Sequence, residues 1–263
     1  MDLINVVVLS IVEGLTEFLP ISSTAHQILV SHLLSMQQTD FLATFEIAIQ
    51  IGTIAAVVVI YYKKILGNKP LFYKACVGFI PTGILGFLFF KHIKLLLSSS
   101  LVPVVALFLG GIAIIGIETY FKSEVRRKKS EDRKLRTLTN LTYKDALIIG
   151  LIQSISMIPG VSRSAASIFG GMALKINRES AVEFSFLLAI PTMVAATALD
   201  IIKSAHSFTT GQIFDLFLGT LISFVVALLV IKWLLRYVQK NDFIGFGIYR
   251  IVIAVIYYFI FLR

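Results

Sequence analysis

Glu13 and Glu17 are four residues apart, so a helix puts both carboxylates on one face. They stand in 13-EGLTEFLPISSTAH-26, inside an otherwise oily segment. A carboxylate at membrane depth costs roughly 2.5–3.5 kcal/mol on insertion scales unless it is partnered or hydrated. Two on one face point to a hydrated cavity, a metal or a shared proton, with a headgroup-level pair as the bland alternative. Beyond Pro20, Ser23 and His26 are three apart. That spacing can bring an imidazole near a hydroxyl, the minimum for an activated nucleophile. Taken alone the pair is a weak signal, because serines cap helices and a lone histidine is usually structural.

A second stretch, 159-PGVSRSAAS-167, has different chemistry. Pro-Gly followed by small hydroxyl residues fits a turn opening into a helix. Helix N-termini offer free N–H groups and the positive end of the dipole, which suits phosphate. Arg163 adds a permanent charge and a planar donor fork matched to phosphoryl oxygens. Ser162, Ser164 and Ser167 add hydroxyl donors. Small residues for tight helix packing explain the serines and alanines but not the arginine among them. Acids, a hydroxyl and a histidine on one element, with an anion clamp on another, make a set suited to phosphoryl transfer. Glu46 and Gln50, in 45-FEIAIQIGT-53, either line the same cavity or bond to each other within the bundle. Glu183 and Asp200 are expected near interfaces.

The elements that must hold these residues belong to a membrane protein. The 263 residues are 57% hydrophobic and 15% charged, whereas a soluble domain carries nearer a quarter charged residues. Six apolar runs are long enough to span a bilayer: 40–62, 72–91, 101–121, 180–203, 211–235 and 243–262. Two more, 3–34 and 145–174, are broken at Pro20 and at Pro159-Gly160. Each broken segment is expected to fold as two short helices in a re-entrant hairpin, tolerated where protein or a water-filled cavity surrounds it. The order is hairpin, three spans, loop, hairpin, three spans. Shifting the chain by 140 lays Ser22 on Ser162 and Pro20 on Gly160, and a shift of 139 lays Phe45, Thr53 and Ala56 on Phe184, Thr192 and Ala195. Three spans per half turn the second half, 145–263, upside down relative to the first, 1–121. The expected fold is therefore an all-α polytopic membrane protein built as an inverted repeat, with six transmembrane helices and two re-entrant helical hairpins meeting near the midplane.

Charge orients it. Eighteen of the 24 Lys and Arg residues fall in the loops at 62–74, 122–144, 175–179 and 232–242, and four (Lys91, Lys94, Lys203 and Arg263) fall on the other side. The basic side is expected to be cytoplasmic, with both termini outside. Arg163 and Arg250 are left within membrane segments. The net charge of +9 belongs to these loops and not to nucleic-acid binding. The run 122-KSEVRRKKSEDRKLR-136 reads as a solvated linker, with anionic lipid headgroups as an alternative ligand. Cys76 is the only cysteine, so no intrachain disulfide forms. Met1-Asp2-Leu3 lacks the basic start of a secretory signal and is expected to stay on the protein.

The two motifs resemble the signatures of the undecaprenyl-diphosphate phosphatase, or bacitracin-resistance, family over nearly the whole chain. The family pattern E-x-x-x-E leading into P-x-S-S-T-x-H stands here as 13-EGLTE-17 and 20-PISSTAH-26, and P-G-x-S-R-S-x-x-T as 159-PGVSRSAAS-167. Ala25 replaces a usual glycine, and Ser167 a usual threonine. The resemblance implies removal of the terminal phosphate of a C55 polyprenyl diphosphate at a site open to the extracytoplasmic face of the cell membrane. It implies a role in cell-wall synthesis and bacitracin resistance, and a divalent cation, Mg2+ or Ca2+. By the same resemblance the functional positions are Glu13, Glu17, Ser23, His26, Ser162, Arg163 and Ser167. Ser23 is the expected nucleophile, Glu17 or His26 its base, and Glu13 with Glu17 the cation ligands. Direct attack by water stays open. The expected partners are the lipid diphosphate and the bilayer; a homodimer is left open. A polyprenyl-phosphate flippase or other inverted-repeat transporter is the competing class, since transport uses similar equipment but needs no nucleophile.

Overall fold

The architecture is that of a computed structural model. It describes the chain except residues 38, 90, 91, 94, 95, 97, 98, 100, 131–134, 204–208 and 263. The end of the span expected at 72–91 and part of the basic linker therefore lie outside the described residues, as does the side chain of Asp200. Among the described residues the protein is all-helical, with ten α-helices and no strand.

Each broken apolar segment folds as two short helices. The first gives α1 (Leu3–Thr16) and α2 (Ser23–Leu33), of 14 and 11 residues. The second gives α6 (Tyr143–Gln153) and α7 (Arg163–Ala173), 11 residues each, with a 3-10 turn at Ser154–Met157 between them. At ~1.5 Å per residue each arm is shorter than the ~30 Å hydrocarbon core. The chain reverses at Pro20 and at Pro159-Gly160, where proline withholds a donor and crowds the preceding turn. The remaining helices are α3 (Asp40–Gly67), α4 (Lys69–Leu88), α5 (Leu101–Ser130), α8 (Arg178–Lys203), α9 (Thr210–Lys240) and α10 (Ile244–Tyr257).

Five of these helices, α3, α4, α5, α8 and α9, are long and apolar enough to cross a membrane. The sixth span expected at 243–262 falls on α10, which ends in a π turn at Tyr258–Leu262. Its apolar stretch, Ile244–Ile260, is shorter than the other five. Polar caps fix where two of the long helices start. The Thr39 hydroxyl accepts the N–H of Leu42 at the start of α3, and Thr209 and Gln212 form a capping box at the start of α9.

The two halves interlock. Helix α1 packs on α9, and α6 packs on α4; α3 also packs on α9, and α8 on α4. Helix α5 pairs with α10. Close backbone contact carries some of these pairs. A Cβ built on Gly150 of α6 would lie 1.7 Å from the carbonyl oxygen of Gly78 on α4, so only glycine fits there. Under the first hairpin turn, Phe18 packs edge-on against Phe186 of α8, with ring centroids 5.2 Å apart. Phe186 in turn meets Tyr61 of α3. This aromatic floor supports the residues described next.

Candidate active site

Both hairpins end in the same local structure. Ser22 has φ +72° and Ser162 has φ +79°, in the left-handed region that side chains other than glycine rarely adopt. Each serine caps the helix that follows. Ser22 Oγ accepts the N–H of Ala25, and Ser162 Oγ accepts that of Ala165. The N-termini of α2 and α7 thus open onto one cavity of about 230 Å³, lined by Glu17, Ser22, Ser23, Thr24, Gln50, Ser156, Gly160, Ser162, Arg163, Met193 and Ala196.

Glu17 joins the hairpins. Its Oε2 accepts the Ser23 hydroxyl at 2.6 Å, and its Oε1 accepts Arg163 Nη2 at 3.0 Å, across 146 positions of sequence. The glutamate and arginine side chains are 8% and 11% exposed, so the pair is shielded from bulk screening. Arg163 is braced further by Nη1 donating to the Ser185 carbonyl at 3.0 Å and by its guanidinium lying 5.7 Å from the centre of the Phe18 ring. Its Nε is buried without a partner.

His26 faces elsewhere. Its Nδ1 lies 2.7 Å from the Ser22 carbonyl, which can only accept, so Nδ1 carries a proton. In the neutral ring Nε2 then accepts the Tyr249 hydroxyl at 2.8 Å. The two rings stack, 5.6 Å apart and 4° from parallel. The Ser23 hydroxyl is given to Glu17 and not to the imidazole, although the two residues share the spacing that could have paired them.

The remaining site residues divide by location. Ser162 lines the cavity, but Ser164 Oγ donates to the Leu19 carbonyl at 2.7 Å and ties the second hairpin to the first. Ser167 Oγ donates to the Arg163 carbonyl and meets Ser185 Oγ at 2.7 Å, steadying the clamp from behind. Glu13 is buried one turn before Glu17, where Gln27 Nε2 donates to its Oε2 at 3.2 Å. Glu13 Oε1 is buried without a partner. Of the pair 46 and 50, Gln50 lines the cavity and Glu46 is half-buried. Tyr249, Ser185 and Ser156 were not singled out in the sequence. Tyr249 and Ser185 reach the site through contacts between distant helices, which no local motif records.

Among the described residues no three His, Cys, Asp or Glu side chains are grouped to hold a metal. Glu13 Oε1 is the one oxygen of the Glu13–Glu17 pair without a partner, and a carboxylate oxygen is the donor type that hard cations take.

The family model for bacitracin resistance protein BacA matches residues 6–256. The chain belongs to this family. Among BacA-family relatives, the undecaprenyl-diphosphatase of Wolinella succinogenes is 44% identical over 259 residues, covering 98% of each chain. The undecaprenyl-diphosphatase of Aquifex aeolicus is 47% identical over 252 residues, 95% of each. One from Methanococcus aeolicus is 43% identical over 263 residues, the whole of both chains. The residues matched by the BacA model take in both serine-capped turns.

Proposed function

We propose that this chain is an undecaprenyl-diphosphatase, hydrolysing a polyprenyl diphosphate lipid to the monophosphate and inorganic phosphate. The observation that carries the mechanism is the relay Ser23–Glu17–Arg163 at the mouth of two helix N-termini. Glu17 takes the proton from Ser23 Oγ as that oxygen attacks the terminal phosphorus. A new O–P bond forms, the bond from phosphorus to the bridging oxygen breaks, and the lipid monophosphate leaves. Arg163, with the N–H groups of α7, holds the charge gathering on the transferring group. Water then opens the phosphoserine, and Glu17 returns the proton to Ser23. The geometry favours Glu17 over His26 as the base, because His26 spends both nitrogens on Ser22 and Tyr249.

A divalent cation would be held by Glu13 and Glu17, and its chemistry would be to neutralise phosphate charge. The interlocked packing of α1 with α9 and α6 with α4 supports an inverted repeat of six spans and two re-entrant hairpins. The distribution of basic loops supports an extracytoplasmic position for the cavity mouth and both termini.

Purified protein in detergent should release phosphate from the lipid diphosphate, with Ser23→Ala and Arg163→Ala each slower by 10³-fold or more. A trapped, mapped phosphopeptide at Ser23 supports the covalent route. No phosphate release from the wild type with any divalent cation rules out the phosphatase reading.

A further inference from the structure

Arg250 of α10 is completely buried, and neither spacing nor motif gave it a task. A guanidinium has five N–H donors, and all five here meet backbone carbonyls. Nη1 donates to Pro20 O at 3.1 Å and to Val161 O at 2.9 Å. Nη2 donates to Gly160 O at 2.8 Å and to Ala106 O at 3.0 Å, and Nε reaches Leu107 O at 3.3 Å. Pro20 is in the turn of the first hairpin, Gly160 and Val161 are in the turn of the second, and Ala106 and Leu107 are on α5. One planar fork therefore binds both turns and a long helix at once.

The chain needs a donor set there. Carbonyls in a turn have no helical partner, and a buried carbonyl left unpaired is costly. Both turns include a serine held at positive φ, a conformation that persists only where its surroundings enforce it. A carboxylate partner would neutralise the guanidinium and occupy part of its fork. The five carbonyls leave the positive charge in place behind an anion-binding cavity and use the fork to hold geometry.

We propose that Arg250 is a positioning residue that locks the two hairpin turns in register, keeping Ser23 and Glu17 aligned with Arg163. The proposal rests on the phosphatase reading of the cavity, and its test has one arm that does not use activity. Gly110 of α5 provides an independent handle. A Cβ built there would lie 2.1 Å from Arg250 Nη2 and 2.8 Å from its Cζ, so Gly110→Ala displaces the fork while keeping its charge.

The experiment compares the full-length wild type with Arg250→Ala, Arg250→Lys and Gly110→Ala. It measures phosphate release from the lipid diphosphate and amide hydrogen exchange by mass spectrometry. Arg250→Ala and Gly110→Ala should lower kcat by about 100-fold, with KM changed by no more than about threefold, since misplacement by about 1 Å costs that much. Arg250→Lys should fall between them and the wild type, because an ammonium carries three donors and no fork. Exchange should speed up at residues 17–24 and 158–164 and stay unchanged in α3, α8 and α9. A kcat within threefold of wild type in Arg250→Ala or Gly110→Ala overturns the proposal. So does unchanged exchange at both turns, or faster exchange throughout the long helices in all three variants, which would mark a general packing role. If the wild type releases no phosphate, the phosphatase reading fails and the exchange arm still decides the clamp.

Discussion

A single carboxylate carries most of the chemistry proposed for this protein. Glu17 accepts from Ser23 on one oxygen and from Arg163 on the other, so one substitution uncouples base, nucleophile and clamp together. General-base catalysis contributes about 10²–10⁴-fold, and Glu17→Gln should lower kcat toward the upper end of that range because the ion pair is lost as well. His26→Gln and Tyr249→Phe should each cost roughly tenfold or less, because these rings touch each other and the Ser22 carbonyl and not the Ser23 hydroxyl. Steady-state phosphate release on the three variants checks this order, and a His26→Gln loss equal to that of Glu17→Gln would return the proton to the imidazole. Breaking one partner of a buried ion pair costs about 3–5 kcal/mol. Arg163→Ala should therefore also lower the thermal midpoint in detergent, and the double variant Arg163→Ala with Glu17→Gln should recover part of that loss.

At the scale of elements, what matters is how closely helices approach and how they are broken. Gly150 meets Gly78 backbone to backbone, and Gly52 of α3 leaves a built Cβ only 2.2 Å from the Thr220 carbonyl of α9. Gly150→Ala forces α6 away from α4. It should lower the thermal midpoint by several degrees and reduce folded yield, as measured by size-exclusion chromatography after detergent extraction; overpacking of this kind costs about 1–3 kcal/mol. The breaks were legible in the sequence because Pro20 and Pro159-Gly160 interrupt apolar runs, and the order of helices followed from run length. The site was legible as polar residues with no other reason to sit in oil. Its wiring was not. That Ser23 turns to Glu17 and not to His26 is set by the folded geometry of the turn, and Arg250 acquires its partners only once α5, α10 and both turns meet. Ser164 and Ser167 looked like phosphate donors by composition, but they bond the Leu19 and Arg163 carbonyls instead of lining the cavity.

At the scale of the molecule, ion pairs tie the basic stretches 62–74, 122–144 and 175–179 to acids elsewhere in the chain. Lys64 meets Glu183 at 2.5 Å, and Arg178 pairs with the fully buried Glu118. Arg136 pairs with Asp145, and Lys122 with Asp242. These contacts pair Glu183, Glu118, Asp145 and Asp242 with basic partners and tie the basic stretches to their neighbours. Burial alone would raise the Asp242 carboxyl, but hydrogen bonds from Lys122 and the Ile244 N–H outweigh it and hold the group below the usual carboxylate range. A depressed value means that the stabilisation is complete above the ordinary carboxylate pKa and is lost as pH falls through the lowered one. Lys122→Ala should therefore have a lower thermal midpoint than the wild type at neutral pH, and the gap should close as pH falls through the carboxylate range. A gap that stays constant across a pH series of melting curves would exclude this link.

The contact between Glu17 and Arg163 has a further consequence for an enzyme that liberates phosphate. At rest the arginine is already engaged, so a free anion must displace a carboxylate to bind; that competition weakens every anion by the same factor, which a ligand anchored by a long lipid tail can absorb and a small one cannot. Product inhibition should accordingly be weak. Inorganic phosphate should slow the wild type only at high concentration, and in Glu17→Gln, where the arginine is released, phosphate should bind more tightly as read by protection against thermal unfolding. The ion pair then acts as a filter that lets the site keep turning over in the presence of its own product.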